Sequence, residues 1–205
     1  MASLTVRLVD RFSVRTRKLE QTRTKMENLL ITGQISLEDI EQVYTGLYLD
    51  IFTEFEAVIE TLFLGLLSGS LYSKRLTIQR KAKVQPVSMT RPVVFGMKSY
   101  LDWLPYKDHT LPMAKYFFVD GKPFTLLIAS QISDLDDYHV IRNAMAHKSD
   151  YASSKFQKVI EGLPLLPMEK SPAGYLRSKP YAGSSQTQYE IAVLQLQNMV
   201  MIICQ

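Results

Sequence analysis

With 205 residues, of which 46% are apolar, the chain has enough material for one well-filled core and little for two, so a single domain over 1–205 is expected. A formal charge of +4 and an isoelectric point near 9.0 suit an anionic partner without requiring one. The one cysteine, Cys204, excludes an intrachain disulfide and a cysteine-based zinc site, and fits a reducing cytoplasm. The most apolar run, 57–67, is broken by Glu60 and is well short of the roughly 20 residues a membrane span needs. The first residues are charged and hold no compact apolar stretch of the secretory kind. No membrane association and a cytoplasmic location are therefore expected.

Taken in chain order, residues from about 4 to 31 form a charged helix with a thin apolar stripe, stopped at Gly33. The clearest helical period runs over 36–69. Ser36 caps it with Asp39 three positions on, and Ile40, Val43, Tyr44, Leu47, Tyr48, Ile51, Phe52, Phe55, Val58, Ile59, Leu62 and Phe63 follow at spacings of 3 and 4. The two helices make an antiparallel hairpin. Over 71–94 the pattern dissolves into a basic loop with Lys74, Arg75, Arg80, Lys81 and Lys83. Pro86 and Pro92 there forbid a continuous helix. This loop is either a solvated connector or a rim that touches phosphates.

Short helices are expected over 95–104 and 111–118, then a turn at Asp120 and Gly121. A further helix is expected over 134–146 with Ser133 as its cap. After 156–160 comes a loop punctuated by Pro164, Pro167, Pro172 and Pro180, and an apolar helix over 187–203 closes the chain. The fold class is all-α, with a long central helical hairpin, short additional helices and irregular loops. Trp103, Tyr100 and Phe117 read as core residues. His109 beside Asp108 is too small a set for zinc, which takes three or four ligands.

The segment 140–149, VIRNAMAHKS, gathers Arg142, Asn143 and His147 in otherwise apolar, helix-compatible surroundings. Arginine offers a planar donor fork for a phosphate, and histidine can move protons near neutral pH. On one helix Asn143 and His147 lie at i and i+4, and Arg142 is one step round with the length to reach the same place. Ala144 and Ala146 add no bulk and allow close approach.

The arrangement Arg-Asn-x-x-Ala-His, followed by Ser149 and Phe156, resembles the HEPN superfamily, whose signature is Arg, four to six residues beginning often with Asn, then His. Segments 100–105 (YLDWLP), 121–124 (GKPF) and 171–176 (SPAGYL) look like parts of a bacterial branch, the RiboL-PSP-HEPN-like proteins. The resemblance implies a HEPN-type helical bundle and a homodimer in which two motifs face one another. It also implies a metal-independent endoribonuclease, without cofactor, that leaves 2′,3′-cyclic phosphates. Arg142 and His147 would be catalytic, and Asn143 would orient the His147 ring or the phosphate. Glu56 and His139 would support them, and Lys148 and Ser149 would contact RNA. A bacterial toxin or defence effector restrained by an antitoxin or other regulatory protein fits this activity.

Other readings of the same residues stay open. Arg142 could be a structural arginine claimed by Asp136, Asp137 or an acid elsewhere, and His147 a residue that merely ends a helix. Glu56 could be a core-edge partner of Arg142, and His139 a partly exposed helix residue. At the level of the whole chain, the alternatives are a non-catalytic HEPN module that dimerises and binds RNA or a nucleotide, and a helical adaptor with no nucleic-acid role.

Overall fold

The computed structural model describes residues 3–205. Among these the fold is all-α, with eight α-helices: α1 (Val6–Ile31), α2 (Leu37–Ser68), α3 (Thr90–Phe95), α4 (Leu111–Phe117), α5 (Ala129–Ala146), α6 (Asp150–Val159), α7 (Pro172–Arg177) and α8 (Gln188–Ile203). Two strands of two residues, β1 (Ser3–Leu4) and β2 (Leu71–Tyr72), pair in parallel. No helix among the described residues is long and apolar enough to cross a membrane. The chain forms two compact units. One comprises Val14–Thr53 and Asp137–Gln195, and the other takes the rest of the described chain.

In the unit containing Glu54–Asp136, the 3-and-4 spacing of α2 turns Phe55, Val58, Ile59, Leu62 and Phe63 fully inward. Phe63 is the hub. Its ring lies 5.2 Å from Trp103, 5.2 Å from Phe118, 5.3 Å from Phe124 and 5.8 Å from Phe117, within the range in which ring pairs attract one another beyond their burial. The Trp103 indole donates to Glu60 (3.3 Å), and the Tyr106 hydroxyl to the Phe124 carbonyl (2.9 Å), so the polar ends of the two largest buried rings are satisfied. Tyr100 is not core as expected: it is 70% exposed.

Helix α3 occupies Thr90–Phe95, whereas a helix over 95–104 was expected. Pro92 falls in its first turn, where the missing N–H costs nothing, and Gly96 stops it with a left-handed φ of 58° that other residues rarely adopt.

In the other unit, α1 and α2 form the expected antiparallel hairpin: Arg15 pairs with Asp50, while Arg23 and Glu27, farther along α1, both reach back to Tyr44. Ser36 and Asp39 make the reciprocal cap of α2, with the Asp39 amide donating to the Ser36 hydroxyl (3.1 Å) and the Ser36 amide to the Asp39 carboxylate (2.8 Å). Helix α5 starts at Ala129, five residues before the expected 134. Gln131 rather than Ser133 serves its first turn, accepting from the Ile128 amide at 3.0 Å. Ser133 is therefore inside the helix. Helix α7 lies where a proline-rich loop was expected: the Ser171 hydroxyl accepts from the Gly174 amide (2.9 Å) and Pro172 takes the first helical position. A side chain at Gly174 would strike the Met168 carbonyl oxygen, so this turn needs glycine.

A polar network runs through this second core. Arg23, only 9% exposed, donates to Glu190 (2.6 Å), Glu20 (2.5 Å) and the Tyr44 hydroxyl (3.1 Å); Tyr44 donates to Glu27 (2.8 Å), and Arg177 to Glu27 (3.0 Å). Burial disfavours the Glu27 carboxylate, but the bonds from Arg177 and Tyr44 outweigh it and hold its pKa below the usual glutamate value. A depressed carboxylate stabilises the fold fully above its unfolded pKa, about 4.3, and loses that contribution as pH falls through the folded value. The urea midpoint is accordingly expected to be level from pH 7 to 5 and lower at pH 3.5, with the drop reduced in Glu27→Gln; an equal drop in both proteins would remove Glu27 from the account.

Candidate active site on helix α5

The second half of α5 is pinned by its buried face. Ile141 is inside, the Tyr48 hydroxyl donates to the Tyr138 carbonyl at 3.3 Å, and the Tyr138 hydroxyl donates to Gln195 of α8. This leaves Arg142 and Asn143 half-buried at the edge of the helix. The helix ends at Ala146, and the His147 amide closes its last turn on the Asn143 carbonyl at 2.9 Å. His147, Lys148 and Ser149 then form an exposed three-residue link. The link is held at its far end as well, because the Ser149 hydroxyl accepts from the Ala152 amide at 3.2 Å and caps α6, whose Phe156 is buried against Tyr175. Ser149 thus has a structural task, and Lys148 is an exposed cation with no ion pair among the described residues.

The side chains form a short chain of hydrogen bonds. Arg142 donates through Nη1 to Asn143 Oδ1 at 3.0 Å, and Asn143 Nδ2 stands 3.2 Å from His139 Nε2. With Oδ1 taken by the guanidinium, the amide donates to His139, whose Nε2 must then be the accepting nitrogen and Nδ1 the protonated one. Asn143 therefore orients Arg142 and His139, where the sequence suggested His147 or the phosphate. The geometry of helical side chains explains this. Cα–Cβ bonds lean toward the N-terminus, so Asn143 covers the turn before it, where His139 sits, and not the turn after it.

Arg142 takes part in no ion pair among the described residues, and its Nε is buried without a hydrogen-bond partner. A guanidinium carries five donors and no acceptor. An orphaned buried donor costs about 1–3 kcal/mol, and more on a charged group. Among the described residues, no ion pair from Asp136, Asp137 or another acid claims Arg142. What remains is a half-buried cation, aimed by Asn143, with capacity to spare for an anion.

Glu56, half-buried on α2, belongs to the unit of Glu54–Asp136, and Arg142, Asn143, His139 and His147 to the unit of Asp137–Gln195. No group of three or more His, Cys, Asp or Glu among the described residues is arranged to hold a metal ion. His109 sits with its Nδ1 2.9 Å from the Asp102 carbonyl oxygen. No family model, curated protein or solved structure matches this chain.

Proposed function

We propose that this protein is a metal-independent endoribonuclease of the HEPN type, working as a homodimer on cytoplasmic RNA as a toxin or defence effector held in check by a partner protein. The observation that carries the reading is Arg142: a guanidinium at the helix edge, oriented by Asn143 and without an acid partner among the described residues, followed five positions on in the chain by an exposed histidine. In the reaction, His147 takes the proton of a ribose 2′-hydroxyl as its oxygen forms a bond to the adjacent phosphorus. The bond from phosphorus to the 5′-oxygen breaks, and that oxygen leaves with a proton from the partner's His147. Arg142 holds the extra negative charge of the pentacoordinate phosphate. The products are a 2′,3′-cyclic phosphate and a 5′-hydroxyl.

Expression in growing bacteria tests the biological side. Growth is expected to stop with the parent protein and to continue with Arg142→Ala or His147→Ala; equal toxicity of all three would count against a nuclease toxin.

His139 enters as a positioning residue, since it touches Asn143 and not the reacting atoms. His139→Leu is expected to lower the cleavage rate about tenfold, which at 1.4 kcal/mol per decade matches one lost hydrogen bond in an aligned chain. His139→Gln, which restores an acceptor, is expected to recover most of it. In the Asn143→Ala background His139→Leu should change nothing further, and additive losses would show that His139 acts by another route.

A second reading rests on a specific feature of His147, whose ring has no hydrogen-bond partner among the described residues to fix its tautomer, as catalytic imidazoles usually have. In that reading the chain is a dimeric module that holds RNA or a nucleotide through Arg142 and does not cut it.

A further inference from the structure

Between Thr61 and Leu101 the chain carries Lys74, Arg75, Arg80, Lys81, Lys83, Arg91 and Lys98 and no acidic residue at all. Seven positive charges thus fall in 41 residues, and since the whole chain is at +4, the rest of it is at −3. The modest net charge conceals a strongly asymmetric one, and asymmetry of this kind is the electrostatic footprint of a polyanion partner.

Three of these cations are employed within the fold. Arg80 donates to the Leu67 carbonyl at the end of α2 (3.2 Å), Lys81 to the Lys115 carbonyl (2.7 Å), and Arg91 to Glu60 (2.6 Å). Lys74, Arg75, Lys83 and Lys98 are exposed, and no ion pair among the described residues claims them.

The loop that carries Lys74 and Arg75 is held in shape before any partner arrives. At its start, β2 pairs with β1, and the Ser73 hydroxyl accepts from the amides of Arg75 (3.0 Å) and Leu76 (2.9 Å). At its end, the Lys81 amide donates to the Phe117 carbonyl and the Val119 amide to the Gln79 carbonyl, both at 2.9 Å. The loop borders an open cleft of about 370 Å³ whose walls combine Lys74, Arg75, Arg80 and Thr77 with aliphatic side chains, with Tyr72, 45% exposed, at its side. Fixed backbone spares the ordering cost of binding. Cationic and hydroxyl donors around a nucleotide-sized space, with an accessible tyrosine ring, are the combination by which proteins hold single-stranded nucleic acid: phosphates on the cations and a base on the ring. Basic side chains also draw anionic membrane surfaces, so that source is an outcome of the test.

We infer that the Tyr72–Arg80 loop is a single-strand RNA-binding surface, with Lys74 and Arg75 on phosphates and Tyr72 stacking on a base. The inference rests on RNA being the partner, as proposed above, but is separate from cleavage, since it concerns the other unit of the chain and is read by binding alone.

The test uses the full chain carrying His147→Ala, a labelled 20-nucleotide single-stranded RNA, and fluorescence anisotropy over a potassium chloride series. Adding Lys74→Ala and Arg75→Ala together is expected to weaken binding at least tenfold at 0.1 M salt. It is also expected to flatten the slope of log affinity against log salt by about 1.4, at about 0.7 per phosphate contact on a single strand. Tyr72→Ala is expected to weaken binding without changing the slope. A control that removes the same charge elsewhere, Arg17→Ala with Lys18→Ala on α1, should leave the slope alone. Equal affinity and slope in the loop variant and its parent would overturn the inference. So would an equal loss in the control, or a loss of binding to phosphatidylglycerol vesicles with RNA binding intact. RNA that binds through this loop but stays intact with the parent protein, His147 in place, would instead overturn the nuclease reading and leave the surface standing.

Discussion

The Arg142→Ala protein is expected to cleave RNA about 10²–10³-fold more slowly than the parent while binding it nearly as well, because the guanidinium is set against charge that appears only as the phosphate becomes pentacoordinate. Arg142→Lys tests the geometry as well as the charge. An ammonium keeps the positive charge and loses the planar fork, so most of the deficit should persist. Neither change should disturb folding much, since Arg142 gives up only a neighbouring Asn143 bond and the helix keeps its buried Ile141 face. Single-turnover cleavage with a defined RNA, measured beside circular dichroism, separates the two effects. A rate within threefold of the parent would mean that Arg142 does not face the reacting phosphate.

Phe63→Ala is expected to produce the largest loss of stability of any single substitution considered, about 3–5 kcal/mol. Its ring is fully buried, and four aromatic rings lie within 6 Å of it. Truncation would leave a void in the middle of rings that cannot all collapse into it. In urea the midpoint of unfolding should move down by the corresponding amount. Phe63→Leu should recover a large share, because it refills most of the volume. A loss below 1 kcal/mol for the alanine variant would show that the cluster repacks freely.

What the sequence made legible follows how locally each feature is encoded. Helix α2 is read off its spacing: of the residues expected to face inward only Val43 is half-buried, and Ser36 with Asp39 makes the expected cap. The helix expected over 95–104 lies almost wholly earlier, at 90–95, and α5 begins five residues before its expected start, because competing local signals decide both. Gly96 stops α3 where a helix was expected to run on, and Gln131 rather than the more conspicuous Ser133 serves the start of α5. Ser171-Pro172 is a plain start signal for α7 that the surrounding prolines obscured. The Arg23 network was beyond reach, because Arg23 and Glu190 are 167 positions apart and nothing local marks either as buried.

In the candidate site, Arg142 and Asn143 were legible as neighbours on a helix, and their bond is present. The placing of Asn143 against His139 was not, since i−4 and i+4 look alike in spacing and only the lean of helical side chains separates them. The lack of an acid on Arg142 among the described residues depends on tertiary structure, and no motif announces it.

The nuclease reading is tested most directly by incubating the purified protein with total RNA in EDTA, beside the His147→Ala variant, and identifying the ends of any fragments. The account predicts fragments with 2′,3′-cyclic phosphate and 5′-hydroxyl ends that the variant does not make. Intact RNA with a folded, dimeric parent protein, or fragments that the variant makes equally well, would contradict it.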